Sequence, residues 1–233
     1  MNLNWERWAR AAGLGFALLA AIAFAVAGEQ PKVSDPASDV VSYYDGDRDK
    51  VLAASFLFVL ALVLLLWFAA AIANLLRERG EGRVGATVIA AAAAFVTLQI
   101  ALTAIGAALA YSLAGSGDPG IVKSLFDVTL ILDVFAALPS AVFILASAVG
   151  LGRVGAIPGW LSWWGVAVAA LFVLRSTNWA RDGFWSPSGE YLFILIPLAL
   201  LWVLVTSIVL VRTAPVGATT QPPQAPVSAV TGT

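Results

Sequence analysis

Six long apolar stretches alternate with short polar ones along the chain, near residues 11–28, 51–76, 84–112, 126–150, 159–175 and 190–212. A helix needs about 20 apolar residues to cross a hydrocarbon core of about 30 Å. Five of the stretches meet that length or come close to it. The fifth in order is shorter, and is expected to start within the interface at its tryptophans. Lipid offers the backbone no hydrogen bonds, so apolar runs of this length predict helices. A membrane barrel would instead show alternating segments of about ten residues, which are absent. The expected fold is therefore all-α, a polytopic transmembrane bundle of about six spans over residues 1–212. Residues 213–233, rich in Pro, Thr, Ala and Gln and without apolar periodicity, predict a disordered tail.

The polar connections are small. Residues 29–50 hold Pro31, Pro36 and the run Tyr43-Tyr44-Asp45-Gly46-Asp47-Arg48-Asp49-Lys50; residues 77–83 form a charged turn. In residues 176–189, Ser186-Pro187 reads as an N-cap followed by an N1 proline, opening the last helix. Ala25-Val26-Ala27 matches the A-x-A pattern that precedes signal-peptide cleavage. Glu6 and the two tryptophans ahead of the first apolar run argue for an uncleaved first helix instead. Gly82-Arg83-Val84-Gly85-Ala86 recurs as Gly152-Arg153-Val154-Gly155-Ala156, but the flanks differ, and chance recurrence is the better reading.

Composition narrows the chemistry. Of 233 residues 61% are hydrophobic and 12% charged, about half the charge of a soluble domain. The net charge of −1 speaks against nucleic acid as a partner. There is no cysteine and no histidine, which removes thiolate chemistry, the commonest general base and the commonest transition-metal ligand. No phosphate loop, HExxH or G-x-S-x-G element is present, so no catalytic residue, cofactor or metal site is expected.

Orientation follows from basic residues beside the spans. With the N-terminus inside, the cytoplasmic face would carry Arg7, Arg10, Arg77, Arg79, Arg83, Arg153 and Arg212, and the outer face Lys32, Arg48, Lys50, Lys123, Arg175 and Arg181. Seven against six is nearly a tie. The acids favour both termini in the cytoplasm, and Trp5, Trp8, Trp160, Trp163 and Trp164 would form one interfacial belt opposite Trp179 and Trp185.

Asp133 is the strongest polar signal. It falls inside the fourth span, where an ionised carboxylate costs ~2.5–3.5 kcal/mol. At 100° per residue Thr129, Asp133, Ala136, Ser140 and Ser147 lie within about 60° of one another, a polar and small stripe that should face the bundle. Pro139 removes a backbone donor below it. Two readings stand: a proton or cation site, or a carboxylate that cements packing. Arg175 is the expected partner, since the fifth helix should end where the fourth begins. Gln99, near the middle of the third span, could line a pathway but more commonly would bond between helices, as would Asn74. Lys123 and Asp127 read as an i,i+4 interfacial pair. Ala86, Ala90 and Ala94, and Gly106, Ala110 and Ala114, have the small-xxx-small spacing of close helix packing. Asp45, Asp47 and Asp49 imitate the start of a calcium loop, but Lys50 and Phe56 stand where it needs glycine and an acid.

The run Tyr43-Tyr44, Asp47-Arg48, Val51-Leu52-Ala53-Ala54-Ser55 and Leu66-Trp67-Phe68, the arginine-rich turn, and Pro158-Gly159-Trp160-Leu161 resemble a group of uncharacterised six-helix bacterial membrane proteins known only as a domain of unknown function. The resemblance implies a six-helix fold in a bacterial cytoplasmic membrane and brings no activity. The expected function is non-catalytic: helix packing with a second copy or a membrane partner, within the lipid bilayer. The alternative is a small transporter or proton or cation pathway using Asp133.

Overall fold

The computed structural model describes residues 3–213 and contains, among them, helices and no strand. The helices are α1 (Leu3–Ala27), α2 (Ala37–Gly46), α3 (Arg48–Glu78), α4 (Gly82–Ala108), α5 (Ala114–Ser116), α6 (Pro119–Arg153), α7 (Gly159–Arg175) and α8 (Tyr191–Arg212). A π-helical turn, Leu109–Leu113, joins α4 to α5. Five helices are long and apolar enough to cross a membrane: α1, α3, α4 with its π turn, α6 and α8. The apolar α7 has 17 residues and is shorter.

The long helices close into a ring in chain order. α1 packs on α3, α3 on α4, α4 on α6, α6 on α7 and α7 on α8, which returns to α1. Successive helices run in opposite directions. The start of α1 and the end of α8 therefore share one face, here the terminal face, where Arg10 donates from Nη1 to the carbonyl of Leu210 at 3.2 Å. The 79–81 and 154–158 turns lie there too, tied by Arg79 Nη1 to the Val154 carbonyl at 3.1 Å. The opposite, loop face carries residues 28–47, 114–118 and 176–190.

One apolar core fills the ring, with Phe68, Leu65, Ile72, Leu76, Leu161 and Trp202 among its fully buried members. Small residues set the helix separations. A Cβ on Gly85 would come within 2.8 Å of the Ala73 carbonyl oxygen, and one on Gly165 within 2.5 Å of the Ala148 Cβ and 2.7 Å of the Trp202 indole nitrogen. Backbones this close gain dispersion contact, the main drive for helix association in lipid.

The helices outrun the apolar stretches that announce them. α6 has 35 residues, about 52 Å at 1.5 Å per residue, and begins at Pro119 rather than near 126. Asp118 supplies the reason: its carboxylate accepts from the N–H of Gly120 at 2.6 Å, and proline occupies the first turn. The loop-face ends of α3, α4 and α6, with α2 laid against them, enclose a second small core of Val40, Tyr44, Val51, Leu109, Ala110, Ala114, Val122 and Phe126. No apolar stretch announces α2, whose ten residues are too few for a span. Of the expected disordered tail, 213–233, all but Thr213 lies outside the described residues.

Other expectations need correction. Ser186-Pro187 does not open the last helix: residues 184–190 form turns and α8 starts at Tyr191. Ala86, Ala90 and Ala94 do not face the bundle but lie exposed on α4, whereas Ala110 and Ala114 are buried in the second core. The five-residue echo has different conformations in its two copies. The first starts α4, with Gly85 buried; the second ends α6 and turns through Gly155 at φ +65°.

Candidate functional site

Asp133 comes from α6, Gln99 from α4 and Arg175 from the last position of α7, and the structure brings the three together. Gln99 Nε2 donates to Asp133 Oδ1 at 2.9 Å. Arg175 Nη2 forms an ion pair with Asp133 Oδ2. Each carboxylate oxygen thus has a donor from a different helix, and the single negative charge meets a single positive one. The site is a three-helix clamp.

Its members are unequally buried. Arg175 is 3% exposed and Gln99 7%, while the Asp133 side chain keeps 30% of its surface. Arg175 ends α7, where the negative end of the helix dipole also favours a cation. Phe135 of α6 and Trp179, just past α7, pack edge to face at 5.7 Å between ring centroids.

Thr129 and Ser140 share the stripe with Asp133 but do not join it. Thr129 Oγ1 donates to the Phe126 carbonyl at 2.7 Å and Ser140 Oγ to that of Ala136 at 2.8 Å, so both are satisfied on their own helix. Ser147 is fully buried, and its hydroxyl has no hydrogen-bond partner among the described residues. Lys123 pairs with Asp127 as its spacing implies, and its ammonium also reaches the Val33 carbonyl at 2.9 Å.

Depth along α6 changes the meaning of Asp133. It stands 153 − 133 = 20 positions from Arg153 at the terminal face, an axial rise of about 30 Å. That equals one hydrocarbon thickness. A layer set against Arg153 has Asp133 at its far margin, not midway through the span. Because α7 stops at Arg175 on the same level, irregular backbone follows there, in residues 178–190.

Polar residues beyond this stripe are buried as well. Asn178, just past α7, is 1% exposed. Arg10 is buried at 7%, bonded to Leu210 and paired with Glu6 at 3.6 Å. Ser207 Oγ donates to the Arg10 carbonyl and accepts from the N–H of Leu14 at 3.2 Å, the two groups that one helical turn of α1 would join. No periodicity marks these residues.

At the loop face Asp47 pairs with Lys50 at 2.7 Å and Asp49 with Arg48 at 3.2 Å. Among the described residues no group of three or more His, Cys, Asp or Glu is placed to hold a metal ion. Tyr43 donates its hydroxyl to the Ala27 carbonyl at 3.0 Å, pinning α2 to the end of α1. Burial, then the nearby Asp47 carboxylate, pushes its phenol up to about 12; burial and then Tyr43 raise Tyr44 as well. No family model matches the chain, and neither does any curated protein or solved structure.

Proposed function

We propose that the chain is a non-catalytic, multi-pass protein of a bacterial cytoplasmic membrane, with both termini in the cytoplasm, that works by packing against a second copy of itself or another membrane protein. The outward face of α4 carries this reading. Ala86, Ala90, Ala94, Thr97, Ala101 and Ala104 are all exposed along it, with Ile89 and Ile100 the large side chains among them. The outward faces of α6 and α8 present Phe135, Leu138, Val142, Leu145, Phe193 and Leu201 instead. Lipid tails are as apolar as leucine, so helices associate in a membrane where small side chains let backbones approach. A wholly bulky face is at home in lipid, and a face made mostly of alanines favours another helix.

The clamp agrees with this reading. Asp133 is neutralised by Arg175 and bonded to Gln99, so the strongest polar group of the bundle is already engaged in holding three helices together. With no native cysteine, the Ala90→Cys variant gives a unique reporter. In native membranes it should form a disulfide-linked dimer on mild oxidation, or cross-link to one reproducible partner, whereas Leu138→Cys on the bulky face of α6 should not. Equal yields from the two positions, or none from either, would reject the packing role of α4.

A small proton or cation pathway through Asp133 is the second reading, favoured by the 30% exposure of its side chain beside a buried arginine. Its mark would be a flux in liposomes that the Asp133→Asn variant abolishes; flux unchanged by that substitution rejects it.

A further inference from the structure

Charge is divided unevenly between the two faces. Seven of the thirteen basic side chains lie on the terminal face, all of them arginines, against three acids, Glu6, Glu78 and Glu81. That is a surplus of four positive charges in a chain whose net charge is −1. The three lysines, Lys32, Lys50 and Lys123, all lie toward the loop face, where the other eleven of the fourteen acids outnumber six basic residues. Ion pairing absorbs little of the surplus. Glu6 pairs with the buried Arg10 at 3.6 Å, and the other six arginines of the terminal face are exposed.

Four of them meet at one corner. Gly150, near the end of α6, packs tightly on the α3–α4 connection: a Cβ there would come within 2.9 Å of Val84 Cγ1 and 3.0 Å of Leu76 Cδ1. Arg79 donates across to the Val154 carbonyl at 3.1 Å, and Arg77 to the Asn74 amide oxygen at 2.6 Å. Arg77, Arg79 and Arg83, at or beside that connection, thus share a corner with Arg153, the last residue of α6. Glu78 and Glu81 are the acids there, so positive charge prevails. The start of α7 is fixed next to it, where Ser162 Oγ donates to the Ala148 carbonyl at 2.8 Å. Trp160 and Trp163 on those first turns are 60% and 75% exposed, and Trp5 and Trp8 of α1 are exposed on the same face.

The chemistry of these side chains selects the partner. An exposed tryptophan, apolar in its body and polar at its N–H, settles at the headgroup level of a bilayer. Guanidinium groups at that level lie among lipid phosphates. Arginine presents a planar fork that binds phosphate through two parallel hydrogen bonds, whereas lysine acts as a point charge. Clustered basic residues at a membrane surface draw anionic lipids. A soluble acidic partner would meet the charge but not the tryptophan rings.

We propose that the corner formed by Arg77, Arg79, Arg83 and Arg153 binds the phosphate headgroup of an anionic phospholipid. The proposal needs the helices to span a bilayer, and it is independent of the α4 packing role and of which way the chain faces. Spin-labelled lipids in vesicles that hold the reconstituted full chain test it. Labelled phosphatidylglycerol should be immobilised by the protein at least about threefold more strongly than labelled phosphatidylcholine. That preference should shrink toward parity in ~1 M sodium chloride, where the Debye length is ~3 Å. The triple variant Arg77→Gln, Arg83→Gln and Arg153→Gln, which spares the Arg79 bond, should lose most of the preference. Lys32→Gln with Lys50→Gln, on the other face, should keep it. Equal immobilisation of the two lipids by the parent chain would overturn the proposal in favour of a soluble acidic partner. So would a preference that survives the triple change. A preference that inorganic phosphate abolishes at constant ionic strength would overturn it too, by marking a site for the free anion.

Discussion

At the scale of single residues, the two halves of the ion pair are not equivalent. Removing one partner of a buried pair leaves the other charge uncompensated, at ~3–5 kcal/mol when the survivor is deeply buried. Asp133→Asn strands Arg175, which is 3% exposed, and should cost toward that range. Arg175→Gln strands a carboxylate that keeps 30% of its side-chain surface and its Gln99 bond, and should cost roughly 1–2 kcal/mol. Replacing both by leucine should recover most of the larger loss. Denaturant titrations of the three variants in one detergent check that order; equal losses from the two single changes would contradict the burial asymmetry. Tyr43 makes a separate prediction. Its pKa is raised from 10.0 in the unfolded chain to about 12 in the fold, so the neutral phenol favours the folded state. That contribution is complete below about pH 10 and lost as pH climbs through about 12. Absorbance of the tyrosinate should show one group titrating near pH 12 that Tyr43→Phe removes.

Asp133 and Arg175 were legible in the sequence because a charge within an apolar run is conspicuous and helix order brings the two ends to one face. Gln99 was legible as an interhelical group but not as a ligand of Asp133, which depends on the rotation of α4. Asn178 and Arg10 were not legible: their burial comes from a folded connection and from the α8 terminus, neither of which leaves a periodic trace. Thr129 and Ser140 show the converse. They share the stripe, yet a hydroxyl on a helix finds its own backbone carbonyl more readily than a neighbour.

At the scale of elements, apolar length marked which helices exist and missed where they begin. The Asp118-Pro119 start of α6 is written in the sequence as an N-cap with an N1 proline, but the hydropathy of the run that follows drew the boundary several residues later. The exposed alanines of α4 reverse the inference from small-xxx-small spacing, since spacing identifies a face able to pack closely and not the direction it faces. The contact that does seat a helix is Gly165 of α7, against Ala148 and Trp202. Gly165→Ala should destabilise the bundle by about 1–3 kcal/mol, the usual cost of overpacking, despite the better helix propensity of alanine. Stability equal to or above the parent in a thermal melt would show that the α6–α7–α8 junction has slack. Ser207→Ala should loosen α1 by roughly 1–2 kcal/mol, through the hydrogen bonds it loses to Arg10 and Leu14. Faster proteolytic release of an N-terminal tag would report it.

At the scale of the whole molecule, the ring of helices has unequal sides. α3, α4 and α6 rise past the length a hydrocarbon layer needs and carry α2 and the second core on the loop face. α7, at 17 residues, ends at the clamp. Chemistry is sparse throughout: the polar groups brought together within the bundle are neutralised there, and the surface feature that stands apart along the spans is the alanine face of α4. That combination makes association in the membrane the central claim, and subunit counting tests it most directly. Single-molecule photobleaching of the fluorescently tagged chain, reconstituted at low density in lipid bilayers, should give mostly two bleaching steps, falling to one when Ala90 and Ala94 are both changed to tryptophan. A single step for the parent chain, with no second protein retained from its native membrane, would contradict the account.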